Sequence, residues 1–415
     1  MEEFVLNQIK YGLKYVPLNL AKSFFIKKSN AETKAIREKG FICGICHHRG
    51  DRQKLIDANI EWIRTDIPFP FEKDGTVRKA FTDFKESCAE YKNAGIKIMA
   101  ITPYPQDYIN YGIELNTPQG ENKIKEIAVY IINELMDYIG AVQVTNEMGI
   151  PRFTIPLSMD DAARFIAVQL EAIYHVRGSI LLGYNSAGPQ ADLHFKLKPY
   201  LKYCDYVGVD IYVGCFMNMP GCMWMFDAVL RFLWAFTRKP VILQEFGYIG
   251  AGAPKSRAEK KAILQKYGVS SAKEAKKNIG SFVEAMPQYF ADHVKYLSNN
   301  DENRYFNLLF KSDLTNHLYC ELPAVTKITG CPHTPEGQAK FYSKILPRLY
   351  NMDFMAGAII YCYADSDRCY VCGQEDCPTE TRWGIVDCSL NPKPAYYAVK
   401  EAYAKIRNTG ENTKA

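Results

Sequence analysis

The sequence predicts an α/β fold: a (β/α)8, or TIM, barrel with a long, partly helical insertion after the seventh strand. Three observations predict it. Short apolar runs alternate along the chain with stretches whose apolar residues recur at helical spacing. The apolar runs lack period-two polarity, as suits parallel strands covered on both faces. Eight such units favour a closed barrel over an open sheet.

Residues 1–37 form an N-terminal helical extension. The first strand is "GFICGIC", followed by helical "RQKLIDANI". "EWIRTDI" comes next, then a helix over 77–93. Gly95 sits where a helix C-terminus favours glycine, just before the strand "IKIMAIT". The helical stretch "ENKIKEIAVYIINELMDYI" is expected to end at Gly140, ahead of "AVQVTNE". Ser158 with Asp161 has the form of an N-cap opening the helix "MDDAARFIAVQLEAIYHV". "SILLGYNS" is the fifth strand, and a weaker helix over 193–203 leads to "YVGVDIY". An apolar helix over 226–236 precedes "PVILQEFGY". Residues 250–333 interrupt the rhythm, and "TPEGQAKFYSKILPRLYNM" then supplies the seventh barrel helix. "AGAIIYCYADSD" holds the last strand, and a helix over 395–406 closes the barrel. The reading is thus one catalytic domain over 1–407, with 250–333 as an insertion or lid and 408–415 as a polar tail. A long βα loop lies over the C-terminal face of such a barrel, where active sites form. For the Lys-rich first half of the insertion, a solvated decoration stands beside the lid.

Composition excludes several classes. Lys+Arg 51 against Asp+Glu 46 gives a net charge of +5, too mild over 415 residues for nucleic-acid binding. The most apolar stretch, "CFMNMPGCMWMFDAVLRFLWAF", is broken by Pro220, Gly221, Asp227 and Arg231, so no membrane span and no membrane partner are expected. The 13 cysteines and the lack of an export signal suit reduced thiols in a cytoplasm. Aromatic content of 13% suits sugar faces and protein cores equally.

In a parallel barrel, chemistry gathers at strand C-termini. These ends carry Arg64 and Asp66 on the second strand, Asn146 and Glu147 on the fourth, and Asp210 and Tyr212 on the sixth. The seventh carries Glu245, and the eighth Tyr361 and Tyr363. Cleaving a glycosidic bond takes two carboxyl groups, one to protonate the leaving oxygen and one to attack carbon or activate water. Glu147 and Glu245 are that candidate pair. Arg64 would keep a neighbouring carboxylate ionised, and Asn146 would bind a sugar hydroxyl. Either glutamate alone would more often be a surface residue or a helix-start charge.

These motifs, "IRTD", "TNE", "YVGVDIY" and "QEFGY" in this order, resemble the clan A (β/α)8 glycoside hydrolases, a group that includes families 5, 10 and 39. The closing "RWGIVDCSLNPKPAYYAVKEAY" is similar to the last loop and helix of such enzymes. The resemblance covers about residues 40–407 apart from the insertion. It implies a retaining double displacement on a β-linked glycoside, with Glu147 as acid/base and Glu245 as nucleophile. It also implies Arg64 and Asn146 as their partners, and Tyr212 as the hydrogen-bond donor to the nucleophile. Departures exist. A Trp common on the eighth strand is absent, with Tyr361 or Tyr363 as its substitute. The third strand ends "TPYPQ" where relatives often carry His. Tyr363, His48 and Asp66 are taken as substrate contacts, with an ordinary loop residue as the other reading for His48. The expected partner is a small carbohydrate or glycoside. A transglycosidase and a non-catalytic carbohydrate-binding barrel remain as alternatives.

No cofactor and no metal are expected. "CYVCGQEDC" (Cys369, Cys372, Cys377), "CGIC" (Cys43, Cys46) and "CPH" (Cys331, His333) have spacing reminiscent of structural zinc without completing a local motif. Reduced, buried thiols are the preferred reading.

Overall fold

The structure is a computed structural model that describes residues 3–25, 31–154, 156–215, 222–251, 257–311, 327–369 and 380–412. Eight strands close into a barrel in sequence order. They are β1 (Ile42–Cys46), β2 (Trp62–Asp66), β3 (Lys97–Ile101), β4 (Ala141–Val144), β5 (Leu181–Tyr184), β6 (Tyr206–Asp210), β7 (Val241–Phe246) and β8 (Met355–Ile360). Each pairs in parallel with its neighbours, and β1 closes on β8. Successive side chains of a strand point to opposite faces. In β1, Ile42 and Cys46 belong to one buried cluster with Trp62, Met99, Tyr206 and Ile359, while Cys43 and Ile45 belong to another. Both faces are therefore apolar, which explains the missing polar alternation in the sequence.

Helices separate the strands. In chain order they are α1 (Glu3–Ser23), α2 (Ala31–Glu38), α3 (Gln53–Asp57), α4 (Lys79–Asn93), α5 (Pro105–Asn110), α6 (Pro118–Leu135), α7 (Pro151–Thr154), α8 (Met159–Tyr174), α9 (Ala191–Leu197) and α10 (Trp224–Thr237). The Ser158 side chain accepts from the Asp161 N–H, so the N-cap of α8 forms as the sequence predicts. Helix α6 departs from expectation. It ends at Leu135, and Gly140 instead enters the sheet, donating its N–H to the Ile98 carbonyl at 2.9 Å. A Cβ on Gly140 would lie 2.7 Å from the Trp62 ring, so this glycine makes room for an indole and does not cap a helix.

Between β7 and the next barrel helix lie α11 (Arg257–Lys266), α12 (Ala272–Lys277), α13 (Ile279–Glu284), α14 (Gln288–Ser298) and α15 (Glu302–Lys311). They share a small core of their own, including Tyr267, Phe282, Val283, Met286 and Tyr305, to which Cys369 adds from beyond β8. Tyr248, just past β7, ties the end of this region to the barrel. Its hydroxyl donates to the Cys331 carbonyl at 2.5 Å and accepts from the Ile328 N–H at 2.9 Å. Two further helices, α16 (Pro335–Tyr350) and α17 (Pro394–Asn412), flank β8. Helix α1 packs on α9 and α10 through Tyr11 and Tyr15, whose rings lie against Phe195 and Phe236. Among the described residues no helix is long and apolar enough to cross a membrane.

Candidate active site

The C-terminal ends of β2, β4, β5, β6 and β7 converge on one buried polar cluster. Arg64, fully buried on β2, is its hub. Its Nη1 donates to Glu245 Oε1 at 2.5 Å, its Nη2 to Asn146 Oδ1 at 2.5 Å, and its Nε to Gln143 Oε1 at 2.7 Å. Asp210 lies 4.0 Å away on the same side. Burial works against the Arg64 charge, but Glu245, Cys46 and Asp210 more than offset it, so its pKa rises and the guanidinium stays protonated. The Tyr212 hydroxyl donates to the other Glu245 oxygen, Oε2. Burial, then the Glu245 charge, raises the Tyr212 pKa, so it remains a phenol able to donate. Glu245 thus accepts from a cation on one oxygen and from a hydroxyl on the other.

The fourth-strand end is pinned as firmly. Asn146 Oδ1 also accepts from Gln143 Nε2 at 3.1 Å and from Asn185 Nδ2 at 2.9 Å. Asn185, just past β5, donates to Asp210 Oδ2 at 2.7 Å and accepts from the Glu147 N–H at 2.8 Å. Thr145 and Glu147 both have left-handed backbone, with φ of 55° and 45°. For a β-branched residue such as Thr145 this is costly, and it persists only where the surroundings over-determine it. The Thr102 hydroxyl, accepting from the Thr145 N–H at 3.0 Å, and Asn185 provide that constraint. Asp210 and Glu245 are register partners at an irregularity between β6 and β7, which re-aims the side chains there. Burial and the Glu245 charge both raise the Asp210 pKa, so Asp210 holds its proton more tightly than an exposed aspartate.

The structure therefore brings Arg64, Asn146, Tyr212 and Glu245 into direct contact and sets Glu147 beside them through Asn185. Asp66 accepts from the Tyr104 hydroxyl at 2.7 Å, and Tyr104 stacks on Phe153 at 5.5 Å. His48 and Tyr363 form a separate cluster. Their rings lie 4.5 Å apart, and His48 Nδ1 bonds the Tyr91 hydroxyl at 2.7 Å. Burial lowers the His48 pKa to about 4, and Tyr363 is wholly buried. Tyr361 is the eighth-strand aromatic at the main cluster, with its ring 5.8 Å from Tyr212. Trp383 lies 5.2 Å from Tyr212 and 5.9 Å from Tyr361 and closes that side.

The sequence placed Asp210 at the end of the sixth strand without giving it a role, and it did not single out Asn185, Gln143 or Trp383. Asn185 directly follows the fifth strand in "SILLGYNS", so the strand-end rule applied there would have found it. Of the cysteines, Cys46 Sγ lies 3.6 Å from Arg64 Nη1, and burial pushes its thiol pKa up. Cys369 packs in the insertion core, while Cys372 and Cys377 lie outside the described residues. Among the described residues no three His, Cys, Asp or Glu gather to hold a metal.

No protein-family model matches the chain, and no curated protein does either. Solved structures do. A family 39 glycoside hydrolase from the gut symbiont Bacteroides cellulosilyticus WH2 aligns with a TM-score of 0.53 and 12% identity, over 88% of this chain and 64% of that one. The GH53 catalytic domain of Ignisphaera aggregans aligns at 0.52 and 14%, over 91% and 96%. A GH2 beta-galacturonidase from Eisenbergiella tayi bound to glycerol aligns at 0.50 and 15%, over 88% of this chain and 51% of that one. The chain thus spans about half the length of the GH2 structure and nearly all of the GH53 domain. The (β/α)8 barrel of this chain is the fold that these glycoside hydrolases share.

Proposed function

We propose that the protein is a retaining β-glycosidase acting on a small carbohydrate or glycoside, with Glu245 as nucleophile and Glu147 as acid/base. The observation that carries this reading is the double engagement of Glu245, by Arg64 on one oxygen and Tyr212 on the other. A cation and a phenol engage both oxygens of one buried carboxylate, and a carboxylate held in a fixed position is what attack on an anomeric carbon needs.

In the first step a Glu245 oxygen bonds to the anomeric carbon while the bond from that carbon to the leaving oxygen breaks. Glu147 gives its proton to that oxygen. In the second step Glu147, now a carboxylate, takes a proton from water. The water oxygen bonds to the anomeric carbon and releases Glu245. Asn146 has its Oδ1 committed to three donors, so its Nδ2 amide is what it offers a sugar hydroxyl. Tyr361 supplies aromatic surface beside Tyr212, backed by the buried Trp383, and Asp66 with Tyr104 supplies polar groups for a neighbouring position.

The test is a panel of nitrophenyl β-glycosides offered to the wild type and to Glu245→Gln. Cleavage of at least one glycoside by the wild type and a loss of about a thousandfold or more in the variant are expected, the scale of removing a group that acts only in the transition state. Cleavage that survives the substitution would overturn the nucleophile assignment. A wild type inert on the whole panel would favour a carbohydrate-binding barrel.

A further inference from the structure

The outward face of α1 is apolar and exposed. Leu6 is 47% exposed, Ile9 46% and Leu13 74%, and Phe24 and Phe25 at the helix end are 57% and 83%. At helical periodicity Leu6, Ile9 and Leu13 fall within an arc of about 60°. The opposite face is occupied, because Tyr11 and Tyr15 pack on α9 and α10.

The charge along this helix is one-sided. The sequence has no acidic residue between Glu3 and Glu32, while Lys10, Lys14 and Lys22 are exposed along α1. Lys10 and Lys14 directly flank the Leu6–Ile9–Leu13 stripe. Arg231 of α10 adds a further cation over the Phe24 ring at 5.5 Å. This pattern separates two kinds of occupant. Protein interfaces exclude lysine from their apolar centres. A helix lying in a lipid headgroup layer is enriched in lysine beside Leu and Phe, because the ammonium reaches phosphate while its stem covers apolar surface.

We propose that α1 is an interfacial helix that docks the protein on an anionic lipid surface. Leu6, Ile9, Leu13, Phe24 and Phe25 enter the headgroup–acyl boundary, and Lys10 and Lys14 meet lipid phosphates. Such a helix needs no spanning segment, which is why a search of the sequence for one gives no sign of it. Gln8 of α1 donates its side-chain N–H to the Gly149 carbonyl at 2.7 Å, so the docked helix sits against the loop that follows Glu147. The inference does not depend on the glycosidase reading.

The experiment is co-sedimentation of the full chain with vesicles of phosphatidylcholine alone and of phosphatidylcholine with about one third phosphatidylglycerol. Binding to the anionic vesicles is expected, weakening as salt rises. Lys10→Gln with Lys14→Gln should bind roughly thirtyfold more weakly, and Ile9→Glu with Leu13→Glu should abolish binding. These side chains are exposed, so an unchanged circular dichroism spectrum reports an intact fold. A chain that stays in the supernatant with anionic vesicles overturns the proposal, as does undiminished binding by either double variant. A dimer on gel filtration that Ile9→Glu with Leu13→Glu disperses, without vesicle binding, also overturns it and assigns the face to a second copy of the chain.

Discussion

Arg64 shows how a single residue sets the character of the site. It is a fully buried cation bonded to Glu245, Asn146 and Gln143 at once. Removing one partner of a buried ion pair leaves an uncompensated charge, at a cost of about 3–5 kcal/mol. Arg64→Met is therefore expected to lose that much stability in urea unfolding at neutral pH. Arg64 and its partners Asn146 and Glu245 were legible in the sequence because polar residues at the ends of parallel strands have one place to point. Gln143 was not legible, since a polar residue one step inside a strand reads as a chance polar position until its partner is seen. His48 and Tyr363 lie in the right loops, but the sequence does not show that their rings pack against each other. Nothing in a run of letters distinguishes a side chain turned into the mouth from one turned under it.

Among the elements, the strands were read from their apolar runs and the long helices from their periodicity. The short helices α5 and α7 were not, because each opens on a proline inside a loop and adds little more than one turn of period. Gly140 misled for a physical reason: a glycine that clears space for Trp62 looks in sequence like one that ends a helix. Helix α9 carries a testable consequence. His194 is fully buried between the Tyr184 hydroxyl on Nδ1 and the Ser186 hydroxyl on Nε2, each at 2.9 Å. Burial lowers its pKa from 6.5 to about 3. The folded form therefore keeps it neutral while the unfolded chain takes up a proton below about pH 6.5. The stabilisation is complete above that pH and is lost progressively as pH falls toward 3. The slope is about 1.4 kcal/mol per pH unit for one proton. Urea midpoints measured between pH 7 and pH 4 should fall accordingly, and His194→Gln should flatten the profile by that one proton relative to the wild type.

At the scale of the molecule, barrel closure is what turns two distant glutamates into neighbours of one cluster. Glu147 and Glu245 are far apart in sequence and border one polar cluster only because β4 and β7 belong to one ring. The proposed double displacement would invert the anomeric carbon twice, so proton NMR of a β-glycoside digest should show the β-anomer first, with the α-anomer rising later by mutarotation. The α-anomer appearing first would mean a single displacement by water. The ring itself was legible from eight repeats of one pattern. The interior of the insertion was not, since its helices pack mainly on one another and follow no barrel rhythm. Arg64 also has a consequence beyond the site. Its bonds reach Cys46 on β1, Gln143 on β4 and Glu245 on β7, with Asp210 on β6 at 4.0 Å. One side chain thus clasps strands from opposite arcs of the ring. The open end of the barrel cannot fray strand by strand, and the polar cluster and the wall that holds it melt as one cooperative unit.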